Sequence, residues 1–421
     1  MKMKKNWFLK PNKKGLVFGM LFVLVAAMFV IVLPMNVGAD WTGNVTIKND
    51  GTVDPASAPI SVSGTTYTLT DDINGKIVID ISGITLDGDG HTLQGTGSGN
   101  GIEAKSEDYL TVKDLVITGF ATGIKMDYVD DSTITGNTIS DINLAAVVMP
   151  YTTDSSVTQN SISNCGYGIR LTTGTLHNTV SENKISDISN NGIEVWGSEN
   201  VIKENSISGI SRRYGITVSG IGSTGNKNVI SDNSISDVYQ YGISITNNNN
   251  AVVSGNTISS VERYDGIIIN SNTGTLVSGN TISDVSNYGI RLIRGDSCMV
   301  TGNKLVDLEN AKCGVNIDAR SVDNNIVKND YKESGLPGWE EGYGCVFISQ
   351  YFTDNNFVFE SGCFPQGTGG AKYQVLDEIA YLTGETTNRV VGHKAGYLTE
   401  ETHPGIGQKI QELSEVLEEE Q

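Results

Sequence analysis

Between Ser132 and Asn303 apolar and polar residues alternate in short bursts, and the bursts return on a nearly fixed period. In Gly192-Ile193-Glu194-Val195-Trp196, Ile193 and Val195 share one face while Glu194 and Trp196 take the other. This two-residue rhythm predicts strands, because a helix would repeat its apolar positions every three or four residues. Eight asparagines punctuate the stretch: Asn137, Asn160, Asn183, Asn205, Asn233, Asn256, Asn280 and Asn303, at intervals of 23, 23, 22, 28, 23, 24 and 23 residues. Two positions after each stands an isoleucine, from Ile139 to Ile282, or Leu305; seven of the eight then carry serine. About nine residues past most of these asparagines comes a second phrase: GIRL, GIEV, GITV, GISI, GIII, GIRL or GVNI.

A unit of this length, with Gly/Asn/Asp/Ser turns, leaves no room for a helix plus a strand, and the leucine-spaced consensus of leucine-rich repeats is absent. The expected fold is therefore all-β, a right-handed parallel β-helix with two or three short strands per turn and turns about 4.8 Å apart. The isoleucines then stack inside, and the asparagines form a hydrogen-bonded amide ladder at a tight turn.

The phrase N-x-I-S, a variable turn, then G-I-x-V resembles the parallel β-helix repeats of the pectin-lyase-like superfamily. Its nearest flavour is the NosD-like, carbohydrate-binding and sugar-hydrolysis group of secreted proteins. The resemblance covers roughly residues 76 to 330 and implies the fold, while the same coil carries lyases, hydrolases, epimerases, adhesins and inert scaffolds. The NosD name is linked to copper-enzyme maturation, yet no CxxC pair occurs and the histidines (His91, His177, His393, His403) are scattered, so no metal site is expected.

In chain order, residues 1–39 have the make-up of a signal peptide or an uncleaved anchor. Six lysines precede an apolar run from Gly15 to Leu33, and Val37-Gly38-Ala39 supplies small residues before Asp40. Export, to a secreted or cell-surface location, is the expectation, with membrane contact only through this segment. Residues 40–75 are expected to cap the coil, 76–360 to form it, with Asp114 standing where asparagine recurs later. Residues 361–421 are expected to be loops and a short amphipathic helix with Ile406, Ile410, Leu413 and Leu417 on one stripe.

Charge narrows the partners. The chain carries −19, residues 1–39 contribute six lysines and no acids, and the remainder is therefore −25. Such a surface argues against nucleic acid and anionic membranes and makes a polyanionic glycan a harder ligand unless bivalent cations intervene. Of the five cysteines (Cys165, Cys298, Cys313, Cys345, Cys363), Cys345 and Cys363 flank the end of the coil and are the expected disulfide.

Candidate chemistry lies on the outward residues of the Gly-Ile strands. The second and fourth positions after each glycine bring Lys125, Asp127, Arg170, Glu194 and Trp196 to nearby turns. A tryptophan stacks on a sugar ring, and an arginine with a glutamate hydrogen-bonds hydroxyls or carboxylates. In an elimination mechanism Arg170 or Lys125 would be the base beside a uronate carboxylate, with Glu194 and Asp127 as acidic neighbours. The plainer alternative is a surface salt bridge between adjacent turns.

A second stripe is aromatic: Tyr167, Tyr214, Tyr241 and Tyr288 each directly precede the glycine, with Arg212, Arg213, Tyr239, Arg263 and Tyr264 nearby. It either holds an extended glycan or covers backbone at the turn. Asp87-Gly88-Asp89-Gly90-His91 lacks the third acid and distal glutamate of a calcium loop and reads as a glycine-rich turn. The N-x-D, D-D, G-H-G and R-I-K set of polygalacturonase-like hydrolases is missing, as is the D-P-H-D phrase of alginate-epimerase-like proteins, and no carboxyl pair stands out for glycosidic cleavage. The favoured function is a non-catalytic glycan-binding or cell-envelope scaffold whose partner is a polysaccharide. The alternative is a polysaccharide lyase or epimerase acting on uronate-containing glycans, with Ca2+ as an optional cofactor.

Overall fold

The computed structural model describes residues 41–330, apart from 221–225, 309–310, 318–320, 322–323 and 328, together with the backbone of four short strands, Val346–Ile348, Asn356–Phe359, Pro365–Gln366 and Tyr373–Leu376. The N-terminal lysine-rich segment, Cys345, Cys363 and the C-terminal apolar stripe lie outside the described residues.

Every regular element described is a strand. One turn contains three of them, as in Val229–Ser231, Ser234–Ile235 and Tyr241–Thr246, before Val252–Ser254 opens the next. Each strand pairs in parallel with its counterpart one turn on, so three ladders run the length of the solenoid. Val229 faces Val252 and then Leu276; Ile235 faces Ile258 and then Ile282; Ile243 faces Ile267 and then Ile290. The first ladder is a 15-stranded sheet. The other two merge because the long strands Thr138–Pro150 and Ser161–Leu176 run through the corner between them.

The chain coils because three corners per turn are bent by left-handed residues. Glu182, Glu204 and Asp232, with φ of 57°, 55° and 55°, precede Asn183, Asn205 and Asn233; Asp187, Asp237 and Asp284 bend the next corner at 54°, 52° and 47°. This conformation costs an ordinary L-residue about 1–2 kcal/mol, and short polar side chains tolerate it best. The aspartates that follow the serines are thus turn residues.

Inside, Ile139, Ile162, Ile185, Ile207, Ile235, Ile258, Ile282 and Leu305 are all 0–1 % exposed, one column of the core. The predicted amide ladder joins Asn137 to Asn329 without a break. In each step the side-chain carbonyl of one asparagine accepts the backbone N–H and the Nδ2–H of its predecessor, at 2.8–3.1 Å. Asp114 does not hold the earlier ladder position. Leu115 does, donating its N–H to Asn137 Oδ1 at 3.1 Å, and Asp114 is the left-handed residue before it, with φ 54°.

A second ladder runs five residues ahead of the first. Ser132 Oγ, Ser155 Oγ, Asn178 Oδ1, Asn200 Oδ1 and Asn228 Oδ1 each accept the N–H of the equivalent residue one turn earlier, at 2.8–3.0 Å. It satisfies the backbone at the corner where the turn closes.

The glycine of the Gly-Ile phrase is a close-approach residue. A Cβ on Gly242 would lie 2.5 Å from Ile258 Cγ2 and 2.7 Å from the carbonyl of Gly266. Residues 41–75, expected to be a cap, already stack in register on the next turn, with Trp41 opposite Ile73 and Val45 opposite Ile77. They also hold antiparallel pairs, Ile60–Ser63 with Thr66–Leu69 and Val45–Ile47 with Val53–Asp54.

Candidate functional site

The Gly-Ile ladder presents one outward row in strict register: Lys125, Val148, Arg170, Glu194, Thr217, Ser244, Ile268, Arg291 and Asn316. Of the four residues considered for catalysis, Arg170 and Glu194 meet: Arg170 Nε donates to Glu194 Oε2 at 2.5 Å, with the two side chains 26 % and 9 % exposed. The Arg170 guanidinium also lies 4.5 Å from the ring centroid of Tyr167. Lys125 is set apart from Arg170 by the turn of Val148, and Asp127 stands opposite Lys105. Trp196 is half-buried and faces Ser219. Asp87, in the glycine-rich turn, accepts the N–H of Asp89 and an ion pair from Lys113.

The outward row is sunken over consecutive turns. Glu194, Thr217, Ser244 and Ile268 are only 7–8 % exposed although they point away from the core. Beside this floor stands the tyrosine column. Register places Tyr167, Asn191, Tyr214, Tyr241, Asp265 and Tyr288 on successive turns, so the four tyrosines share a column that an asparagine and an aspartate interrupt. Tyr214 and Tyr241 lie 5.4 Å apart, ring centre to ring centre. Above them Tyr264 supplies the ring that Asp265 lacks, stacking on Tyr241 at 5.1 Å and 15°. Tyr241 and Tyr264 thus cover one another's faces, while Tyr214 is tilted 50° to Tyr241 and presents an edge.

Cations edge this column. Arg263 lies 5.3 Å from the Tyr264 ring and 5.7 Å from that of Tyr239, whose hydroxyl accepts its Nη1–H at 3.0 Å. Arg291 and Lys312 lie 5.2 and 5.6 Å from the Tyr288 ring. All six arginines among the described residues sit on the Gly-Ile strands (Arg170, Arg291) or in the segments that adjoin them (Arg212, Arg213, Arg263, Arg294).

The residue missed from sequence is Asp265. It is fully buried, its Oδ1 accepts a hydrogen bond from Asn287 Nδ2 at 2.6 Å, and its Oδ2 has no partner. Burial pushes its carboxyl up to about 6, against the pull of the Asn287 hydrogen bond and of the Arg291 and Lys312 charges. Burial likewise pushes the Tyr241 hydroxyl up to about 12, with the Asp265 charge adding to it. The available signal was an acid at the one position between Tyr167 and Tyr288 that is not tyrosine or asparagine. The thiols of Cys165 and Cys298 are free and buried, Cys313 is buried with its Sγ–H on the Val315 carbonyl, and Cys165 is pushed up to about 12 by burial, which leaves it unreactive.

Comparison with solved structures finds 68 chains of related architecture. The A-module of mannuronan C-5 epimerase AlgE6 from Azotobacter vinelandii is 13 % identical, with a TM-score of 0.49 over 71 % of this chain and 91 % of that one. An alginate lyase from Paenibacillus is 15 % identical, with a TM-score of 0.42 over 67 % and 99 %. The tailspike of Escherichia coli bacteriophage HK620, in complex with a pentasaccharide, is 12 % identical, with a TM-score of 0.46 over 82 % and 73 %. No curated protein sequence matches. The model of the right-handed β-helix region matches residues 68–220, 173–331 and 219–371, a repeat-level match coarser than the NosD-like group. With that match spanning most of the chain, and with three parallel ladders and an unbroken asparagine column behind it, the protein belongs to the right-handed β-helix family.

Proposed function

We propose that the protein is an exported, non-catalytic glycan-binding solenoid whose ligand is an acidic, uronate-containing polysaccharide lying along the Gly-Ile face. The observation that carries this reading is the set of cations held against the tyrosine rings, Arg170 on Tyr167, Arg263 on Tyr264, and Arg291 with Lys312 on Tyr288, beside the sunken row of Glu194, Thr217, Ser244 and Ile268. A guanidinium binds a carboxylate through paired N–H donors, and tyrosine edges add hydroxyl contacts to sugars. From Tyr214 to Lys312 the column crosses four turn-to-turn steps, roughly 19 Å at the ordinary strand spacing, long enough for several sugar units. Tyr167 and Trp196 would extend the contact toward the N-terminal turns. Export rests on the lysine-rich, apolar first 39 residues.

The lyase or epimerase alternative needs Arg170 or Lys125 as a base. Arg170 is engaged by Glu194 and Tyr167, and a charged guanidinium has donors only. Its engagement therefore favours a structural or binding role.

The test is affinity electrophoresis of the chain from Asp40 onward in gels containing polygalacturonate, alginate or neutral glucan, with unsaturated-uronate absorbance followed in parallel. Retardation by an acidic polymer, weakened by salt and reduced about tenfold in Arg212→Ala/Arg263→Ala, is expected. Equal retardation by neutral and acidic polymers would overturn the reading. Accumulation of unsaturated uronate would replace it with the lyase.

A further inference from the structure

Asp265 breaks the tyrosine column at its most cationic point. Every neighbour in that column with a ring keeps its side chain partly exposed, whereas this carboxyl is fully buried and one of its oxygens is orphaned. The Asn287 amide and the Tyr288 backbone act on this carboxyl, but a buried carboxylate with an oxygen left over is costly, and its proton equilibrium relieves that cost.

The groups around it come from four turns. Tyr241 lies one turn before it and Tyr288 one turn after. Asn287 donates to Oδ1, and the positive charges of Arg291 and, from the next turn, Lys312 act on it. Its own connection adds Tyr264 and, at the exposed end, Glu262 and Arg263. No histidine is among them: the described histidines lie beside Asp72 (His91) and beside Asp154 and Glu199 (His177).

Resting on the glycan-binding reading above, we propose that Asp265 makes binding at the Tyr241–Tyr288 section of the column depend on protonation. Ionised, it takes up the field of Arg291 and Lys312 and repels an incoming uronate carboxylate. Neutral, it no longer competes with the ligand for their field. A charge that acts on these cations from a buried position is little screened by solvent and salt, so its loss changes the ligand's affinity. Asp265 acts through Arg291 and Lys312 and is a positioning residue, with the orphaned Oδ2 as its structural mark. Burial pushes its carboxyl to about 6, which places the change in mildly acidic surroundings, where a uronate at the ordinary carboxylate value stays ionised.

The experiment measures retardation by polygalacturonate from pH 7.5 to pH 5.0 at fixed ionic strength, for the natural protein, Asp265→Asn and Glu262→Gln. The natural protein is expected to bind about tenfold more tightly at pH 5.0 than at pH 7.5. Asp265→Asn, nearly isosteric and permanently neutral, is expected to hold the tighter value at every pH. Glu262→Gln removes an exposed acid from the same connection and is expected to keep the natural slope. Binding that is flat with pH in the natural protein overturns the proposal alone, as does a slope that survives in Asp265→Asn. Absence of retardation at every pH overturns the glycan-binding reading and the proposal with it.

Discussion

Asn183 Oδ1 accepts two hydrogen bonds from Asn160, one from its backbone N–H and one from its Nδ2–H, each at 3.0 Å. The same side chain donates through Nδ2 to the carbonyls of Val157 and Ser181 and to Asn205 Oδ1, at 2.8, 3.0 and 2.9 Å. One amide thereby ties three turns together.

Removing that amide leaves the buried N–H of Asn160 without an acceptor. An unsatisfied buried donor costs about 1–3 kcal/mol, and the lost side-chain bonds add to it, so Asn183→Ala is expected to destabilise by on the order of 3 kcal/mol. Asn160→Ala/Asn183→Ala should cost less than the sum of the single changes, since the two residues share bonds. Denaturant midpoints measure this, and strictly additive losses would deny the ladder its cooperative character.

Two kinds of glycine follow the repeat and should behave differently. Gly242 cannot take a Cβ without meeting Ile258 and the carbonyl of Gly266, so Gly242→Ala is expected to cost several kcal/mol or prevent folding. Gly279 has φ +62° and room for a Cβ, the nearest atom being Gly255 N at 3.9 Å, and its column elsewhere holds Gln159, Glu182, Glu204 and Asp232. Gly279→Asn is therefore expected to cost less than about 1 kcal/mol. Thermal unfolding of the two variants gives the comparison; equal losses would mean that close packing is not what fixes glycine at 242.

This contrast shows why the fold was legible and the site less so. The amide ladder needs a donor and an acceptor at each step, and asparagine repeats visibly. The second ladder escaped notice because an acceptor alone suffices there, so Ser132, Ser155 and Asn178 serve equally. The Arg170–Glu194 contact followed from strand register. That Trp196 is half-buried, and that Tyr264 rather than Asp265 fills the ring stack on Tyr241, depends on how side chains fold across a corner, which residue spacing does not encode.

The Arg170–Glu194 pair offers a test of its own. Glu194 is mostly buried, so Arg170→Ala strands a carboxylate and is expected to cost about 1–3 kcal/mol, whereas Arg170→Ala/Glu194→Gln recovers most of the loss. Chemical denaturation of the single and double variants measures the coupling. A double variant no more stable than Arg170→Ala would mean the ion pair contributes little and leave Arg170 available for other work on this face.

Asp265 also predicts how stability itself varies with pH. Its carboxyl titrates near 6 in the folded chain, above the ordinary value of 3.8, so between about pH 4 and pH 6 the folded state holds a proton that the unfolded state has released. Fewer protons are bound on unfolding, and stability from this group falls as pH rises through the window. It is fully present below about pH 4 and lost above about pH 6. A displacement of about two pH units corresponds to roughly 3 kcal/mol. Asp265→Asn has no proton to lose, so the natural protein is expected to fall behind that variant by this order between pH 4 and pH 7 in parallel denaturation series. Curves that run parallel across the range would mean that Asp265 is ionised throughout, its charge met by Arg291 and Lys312, and would leave the column no proton to exchange.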